Sequence, residues 1–364
     1  MTLKSMVTID LAALLHNFVL AKRAAPHSRL MAVIKANAYG HGLLEVASAL
    51  SVADGFAVAR LDEAIKLRKA GVSKVILVLT GFTDASDVLE FSHYDLDAVL
   101  HSEYQVGLLE ASVGHSPISV WLKVNTGMNR LGIEPAELQR IVDRIELSAK
   151  VRLPCKLMTH FSCADDMDST ETERQINLFD ESISGLSGEQ SLANSAGLMG
   201  WKYAQRHWVR PGIMLYGGSP FEARKASEEQ LKPVMTFKSH VISLRRLSKG
   251  QTVGYGASWV ATRACLIATI GVGYGDGYPR HAKAGTPILI NGQECSLVGR
   301  VSMDSVNVDV SQCVGVKIGD KAVLWGEGLP IEQVAEMSST ISYDLMCGIT
   351  ERVDKVYRGT NNGQ

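Results

Sequence analysis

The sequence predicts an α/β protein: an N-terminal (β/α)8 TIM-like barrel followed by a mostly β C-terminal domain. Three observations carry this. Eight short apolar runs alternate with helix-like segments from Leu30 to about Tyr216. After Pro233 strand-like runs crowd together, with few helical patterns between them. At 364 residues, 46% hydrophobic and 21% charged, the chain is too long for one ordinary domain and has ample apolar material for two. The barrel is accordingly expected over residues 1–232, with the first few residues able to join the β domain, and the β domain over residues 233–364.

The predicted barrel strands are Leu30–Ile34, Gly55–Ala59, Lys74–Thr80, Leu96–Leu100, Ile118–Val124, Cys155–His160, Ser191–Asn194 and Trp208–Leu215. Each is short and apolar, as strands buried on both faces are. Between them lie amphipathic or charged segments such as Leu61–Ala70, Pro135–Ser148 and Thr170–Ser184, with Pro135 suited to a first helical turn. An open doubly wound sheet is the alternative, but no GxGxxG follows the first strand. In the second domain the runs are Val234–Leu244, Cys265–Ile270, Pro287–Ile290, Ser296–Val298, Val306–Val310 and Ala322–Trp325. Asn291-Gly292 and Gly319-Asp320 mark turns, and helical patterning returns only at about Ile331.

A net charge of −1 excludes the electrostatic footprint of a nucleic-acid or acidic-membrane binder. No apolar run reaches the ~18 residues of a membrane span, and Met1–Asp10 does not read as a signal peptide. Six cysteines, Cys155, Cys163, Cys265, Cys295, Cys313 and Cys347, are scattered without a CxxC pair. Reduced thiols in a cytoplasmic protein fit that pattern better than a disulfide framework or a zinc site. No metal is expected.

In a barrel, polar residues at the C-terminal strand ends face the active-site mouth. Lys35 ends the first strand, Lys123 and Arg130 flank the fifth, His160 ends the sixth, Asn194-Ser195 the seventh, and Arg210-Pro211-Gly212-Ile213 interrupts the eighth. Singly, each has an ordinary explanation: a solvated lysine, a hydrogen-bonded histidine, a capping Asn-Ser. Their convergence from different strands points to a site. A partly desolvated lysine amine loses its proton more easily and can form a Schiff base. The loops after strands seven and eight are where barrels commonly bind phosphate, and the Ser195 hydroxyl with the N–H groups of Gly212 and Ile213 suits an anion. Lysine opposite a phosphate cradle suggests pyridoxal 5′-phosphate.

The motifs Val33–Gly42 (VIKANAYGHG), Lys123–Gly132 (KVNTGMNRLG), Thr159-His160-Phe161, Asn194-Ser195-Ala196, Arg210–Gly217 (RPGIMLYG), Gly254–Ala257, Gly273–Arg280 (GYGDGYPR), Gly299–Asp304 (GRVSMD) and Tyr343–Thr350 (YDLMCGIT) span almost the whole chain. As an ordered set they closely resemble the fold-type III pyridoxal phosphate enzymes, and among them the alanine racemases.

That resemblance implies roles. Lys35 would anchor the cofactor as a Schiff base and act as one acid/base, with Tyr255 the base on the opposite face. Arg210 would sit against the pyridine nitrogen, where a fixed cation without acceptor capacity disfavours a pyridinium and limits side reactions such as transamination. His160 would support it. Tyr39, Asn194, Ser195, Gly212, Ile213 and Tyr343 match cofactor-site positions. Arg130 would approach the cofactor's phenolic oxygen and the substrate carboxylate. Lys123 matches a position often carbamylated in the family. From a partner subunit of a homodimer, Tyr274 and the segment Ser302-Met303-Asp304 would narrow the entrance, the Met303 N–H meeting the carboxylate. Tyr255 would reach the site across the same dimer.

Asn125, Asn129 and Ser302 depart from the residues most frequent at these positions, which bears on modification and substrate tuning more than on reaction class. The implied activity is interconversion of L- and D-alanine. A broader, serine-type racemase shares the machinery, although Tyr274 and Met303 favour a small substrate. A non-catalytic pyridoxal phosphate carrier would need neither Tyr255 nor a second domain. A fold-type III decarboxylase would be expected to place an acidic partner, not Arg210, at the pyridine.

Overall fold

The computed structural model describes residues 4–114, 116–222 and 224–359. Strand β1 (Met6–Asp10) leads directly into the helix Leu11–Ala24, whose start is capped by the Asp10 carboxylate accepting the Ala13 N–H at 2.9 Å. The next eight strands are β2 (Arg29–Val33), β3 (Gly55–Val58), β4 (Val75–Val78), β5 (Asp97–Leu100), β6 (Ile118–Lys123), β7 (Val151–Met158), β8 (Gln190–Ser191) and β9 (Trp208–Val209). They close in sequence order, and β9 pairs in parallel with β2. Predicted strands and barrel strands coincide one for one. The eighth is much shorter than Trp208–Leu215, because Pro211 and Gly212 end it and Ile213–Tyr216 turns into a 3-10 helix. The predicted helices appear as Leu61–Lys69, Pro135–Glu146 and Glu171–Ser182, with Pro135 in the first turn.

Side chains fill the lower half of the barrel. Trp121 and Trp208 meet edge to face there at 6.1 Å. The Asp97 carboxylate accepts the Trp121 indole N–H at 2.8 Å and pairs with the Lys156 ammonium at 2.7 Å. The ion pair and the indole N–H together offset the cost of taking this carboxylate out of water. The interior is therefore packed at the bottom and opens at the C-terminal strand ends.

The second domain comprises β10 (Met235–Leu247), the small hairpin β11 (Thr252–Val253) and β12 (Trp259–Val260), then β13 (Cys265–Ile270), β14 (Pro287–Ile290), β15 (Gln293–Val298), β16 (Val306–Asp309), β17 (Lys321–Trp325) and β18 (Asp354–Arg358). Its main sheet runs β13-β16-β15-β14-β17-β10-β1-β18, and an added β13–β10 pairing curls it back on itself. Asn291 and Gly292 turn the β14–β15 hairpin with φ of 51° and 75°, the double positive φ that a two-residue turn of this hand requires. β1 pairs with β10 and β18, so the N-terminal strand belongs to this sheet. The tail returns to the barrel: the Lys355 ammonium and the Tyr357 hydroxyl donate to the carbonyls of Gly40 and His41 at 2.8 and 3.0 Å. Among the described residues no helix is long and apolar enough to cross a membrane.

Candidate active site

A cavity of about 980 Å³ opens at the C-terminal end of the barrel. Lys35, Tyr39, Lys123, Arg130, His160, Asn194, Ser195, Arg210, Gly212, Ile213 and Tyr343 all line it. Every expected site residue from the barrel, together with Tyr343 from the second domain, is thus brought to one place.

Lys35 follows β2 and starts an unusual segment. Ala36, Asn37, Ala38 and Tyr39 have φ of 53, 53, 54 and 52°, one turn of left-handed helix. Each such residue without glycine's freedom costs ~1–2 kcal/mol, so the turn must be held from outside. Glu63, buried, does so: one carboxylate oxygen accepts the Asn37 N–H at 3.2 Å, and the other accepts those of Ala59 and Arg60 at 3.1 and 3.2 Å. The Asn37 side chain accepts the Leu43 N–H at 2.9 Å. This turn aims Lys35 into the cavity and swings Tyr39 beneath it, stacked on Tyr216 at 4.6 Å.

Electrostatics favour a neutral amine. Burial, with Arg130 next in weight, lowers the pKa of Lys35 below the ordinary lysine value. Burial also brings Lys123 down to about 8, helped by Arg210, Arg130 and Lys35. Among the described residues no carboxylate pairs with either ammonium. The cavity floor is cationic, a medium for phosphate and carboxylate groups.

Arg210 is buried and hydrogen-bonded wholly to neutral groups. One terminal nitrogen donates to the Ser191 carbonyl and hydroxyl at 2.9 and 2.6 Å; the other donates to the Thr159 and Leu192 carbonyls at 2.7 and 3.1 Å. That second nitrogen also faces His160 Nδ1 at 3.3 Å. Burial and then Arg210 hold His160 well below the ordinary histidine pKa, so its Nδ1 is an acceptor for the guanidinium. Burial lowers Arg210 itself to about 10, which leaves it charged at neutrality.

Opposite Lys35, the Asn194 side chain caps the helix Ser195–Gly200 by accepting the Gly197 N–H at 2.8 Å. The Ser195 hydroxyl accepts the Gly212 N–H at 2.8 Å, which pins the loop after β9 against this helix. A methyl group on Gly212 would lie 2.8 Å from the Tyr39 hydroxyl, so only glycine leaves this corner open. The loop after β6 is organised by Asn125, whose amide donates to Asn129 and Glu134 at 2.9 and 2.7 Å. An aspartate at this position could not make those donations.

Tyr255, Tyr274, Ser302, Met303 and Asp304 do not line this cavity. They lie on the second domain, where Tyr255 is 68% and Met303 53% exposed. The Tyr274 and Gly275 N–H groups donate to the Ser302 and Met303 carbonyls at 3.1 and 2.9 Å, and Arg352 pairs with Asp304 at 2.7 Å, so the entrance set forms one unit. The Arg300 guanidinium lies beside Gly256, next in the chain to Tyr255.

Three supports were absent from the sequence reading: Glu63, Ser191 and Gln175. The Gln175 amide reaches the Thr126 hydroxyl and the His160 carbonyl at 3.3 and 3.4 Å, and its oxygen accepts the Ser162 N–H at 3.0 Å. It ties together the loops after β6 and β7. The only signal was a polar residue on the apolar stripe of Thr170–Ser184.

Fold and site together define a two-domain barrel protein with a desolvated lysine at the rim of its cavity, the architecture of the fold-type III class. Comparison with known proteins narrows this. Residues 9–220 match the family model for the alanine racemase N-terminal domain, and residues 234–357 match that for its C-terminal domain. The alanine racemase of Vibrio vulnificus strain CMCP6 is 48% identical over 349 residues, covering 96% of this chain and 98% of that one. The crystal structure of the biosynthetic alanine racemase from Pseudomonas aeruginosa superimposes with a TM-score of 0.95 at 43% identity, covering 98% of this chain and 99% of that one. That of alanine racemase from Acinetobacter baumannii gives 0.92 at 35% identity, with 98% and 99% coverage. The chain belongs to the alanine racemase family.

Proposed function

We propose that this protein interconverts L-alanine and D-alanine with pyridoxal 5′-phosphate, as a cytoplasmic homodimer in which each site is completed by Tyr255 of the partner subunit. The observation that carries the reading is the convergence of a desolvated Lys35 and a neutrally partnered Arg210 in one cavity. The residues present fit the cofactor. Lys35 offers an amine for its aldehyde, and the open corner at Gly212, beside Ser195, Tyr39, Ile213 and Tyr343, suits its phosphate. Asn194 and His160 complete the cofactor's surroundings. Family membership in both domains counts against a carrier, and the division near residue 233 is retained as the boundary.

When bound, the cofactor supplies the electron sink that makes the alanine Cα–H acidic. Inversion requires the chain to remove a proton from one face of Cα and return one to the other. Lys35 moves the proton on the face toward the β2 strand end; the partner's Tyr255 moves it on the other. Arg210 is held as a donor by acceptors alone, so it presents no basic site to the ring nitrogen. Arg130 and the partner's Met303 N–H would orient the substrate carboxylate, and the partner's Tyr274 and Met303, with Ser302 and Asp304 beside them, would limit side-chain volume. Lys123, brought down to about 8, has a neutral fraction able to form a carbamate that pairs with Arg130.

The test is an assay of purified protein on L-alanine and D-alanine with and without added pyridoxal phosphate, with L-serine in parallel. Cofactor-dependent racemisation in both directions is expected. Absence of racemisation in the cofactor-saturated protein, or a preference for serine, would overturn the assignment.

A further inference from the structure

The β15–β16 hairpin carries a pair of thiols that racemisation does not use. Cys295 lies in β15 and is 4% exposed. Cys313 is half-buried in the turn that follows β16, between the exposed Gln312 and Val314. Their sulfurs are 2.9 Å apart. A disulfide bond is ~2.0 Å long, so closure needs less than ~1 Å of movement. Cys295 is held in the β14–β15 ladder opposite Ile288, and the Cys313 segment is fixed by its own N–H donating to the Val310 carbonyl at 3.0 Å and the Val314 N–H donating to the Gln293 side chain at 3.4 Å. The ladder pairs Ser296 with Asp309, which sets Cys295 at the open end of the hairpin. The closed end is the loop Gly299–Ser305, bearing Ser302, Met303 and Asp304.

We infer that Cys295 and Cys313 are a peroxide-sensitive pair that forms a reversible disulfide staple across the base of the entrance hairpin. The more accessible Cys313 sulfur attacks one oxygen of hydrogen peroxide; the O–O bond breaks, giving a sulfenic acid on Cys313 and one water. The Cys295 sulfur then attacks the Cys313 sulfur. The S–S bond forms, the S–O bond breaks, and the Cys295 proton leaves with the hydroxide as a second water. Two thiols lose two electrons in all, and one peroxide becomes two waters. Burial, with the neighbouring Cys313 thiol next, pushes Cys295 up to about 12, so the first reaction with solvent peroxide falls to Cys313, and the 2.9 Å contact places Cys295 to resolve it. A dithiol reductant reverses the bond by exchange. The staple joins positions 18 residues apart and restricts the unfolded chain accordingly.

The experiment exposes the reduced holoenzyme to hydrogen peroxide, blocks remaining thiols with iodoacetamide under denaturing conditions, and maps the peptides by mass spectrometry. The expected product is a Cys295–Cys313 linked peptide, a chain lighter by about 2 Da before blocking, and two fewer alkylated sites. Tm should rise by ~5 °C and return after dithiothreitol. Cys313→Ser should keep the reduced enzyme's activity and show neither the linked peptide nor the Tm rise. Cys295→Ala makes the same prediction should that variant fold poorly, and the map of the unmutated chain decides independently of both. Full alkylation of Cys295 and Cys313 after peroxide, with oxidation confined to Cys163 or Cys347, overturns the pair as the redox site. A linked peptide without a Tm rise, or one that dithiothreitol does not open, overturns the reversible staple.

Discussion

Arg210 binds the ends of β7 and β8 through neutral carbonyls and a hydroxyl, and that environment keeps it a cation that donates without taking protons. Gly212, two residues on, contributes by lacking a side chain. Its φ of −124° lies outside the left-handed region, and an added methyl group would meet the Tyr39 hydroxyl at 2.8 Å. Gly212→Ala should therefore fold, displace the Tyr39 hydroxyl, and weaken pyridoxal phosphate binding by ~10-fold or more. Cofactor titration by absorbance checks this; unchanged affinity would remove the corner from the phosphate site. His41 sits beneath the same turn. Its Nδ1 faces two carbonyls, Tyr39 at 2.8 Å and Ala38 at 3.0 Å, and must donate to them. Burial lowers its pKa from 6.5 to about 4. A base whose folded pKa is depressed adds stability above the unfolded value, and that stability is lost as pH falls toward the folded one. Between pH ~6.5 and ~4 the protein should lose up to ~3 kcal/mol on this account, with His160 acting in the same direction. Urea midpoints across that range should fall in the wild type and fall less in His41→Gln.

At the scale of elements, the left-handed turn Ala36–Tyr39 is the part of the site least visible in the sequence. Asn37, Gly40 and Gly42 signal irregular backbone, but Ala36, Ala38 and Tyr39 have no local preference for positive φ. What holds the turn comes from elsewhere, chiefly Glu63 in the helix Leu61–Lys69, and helix patterning cannot announce a carboxylate that accepts N–H groups from another segment. Glu63→Ala should strand three partly buried donors, cost ~2 kcal/mol, and lower cofactor affinity through a misaimed Lys35. Denaturation and cofactor titration together test it; lost stability with unchanged affinity would make Glu63 a structural residue only. By contrast the barrel strands were legible because each is a short apolar run, and most are followed by a polar residue at the cavity rim, as with Lys35, Lys123, His160, Asn194 and Arg210. Neither β1 nor β18 stands out as an apolar run: one sits against the start of the first helix, and the other has only Val356 and Tyr357 between the charged Asp354, Lys355 and Arg358.

At the scale of the whole molecule, the expected site divides into two sets that one chain does not join. Lys35 and its companions line the barrel cavity, while Tyr255, Tyr274 and Met303 stand exposed on the second domain. Apolar periodicity could locate both domains but not their pairing, since an exposed tyrosine that would close another copy's site looks, in sequence, like any turn tyrosine. A head-to-tail homodimer reconciles the two sets and makes a quantitative prediction. Lys35→Ala and Tyr255→Phe should each be nearly inactive as separate homodimers. When the two variants are mixed, unfolded and reassembled in equal amounts, half the dimers are mixed. Each mixed dimer has one site with both defects and one with an intact Lys35 and an intact Tyr255. Activity should recover to about a quarter of wild type. Size-exclusion chromatography of the same samples verifies that dimers have formed. If the mixture forms dimers yet stays as inactive as its components, Tyr255 does not act across the interface, and the second base must be sought within the chain that carries Lys35.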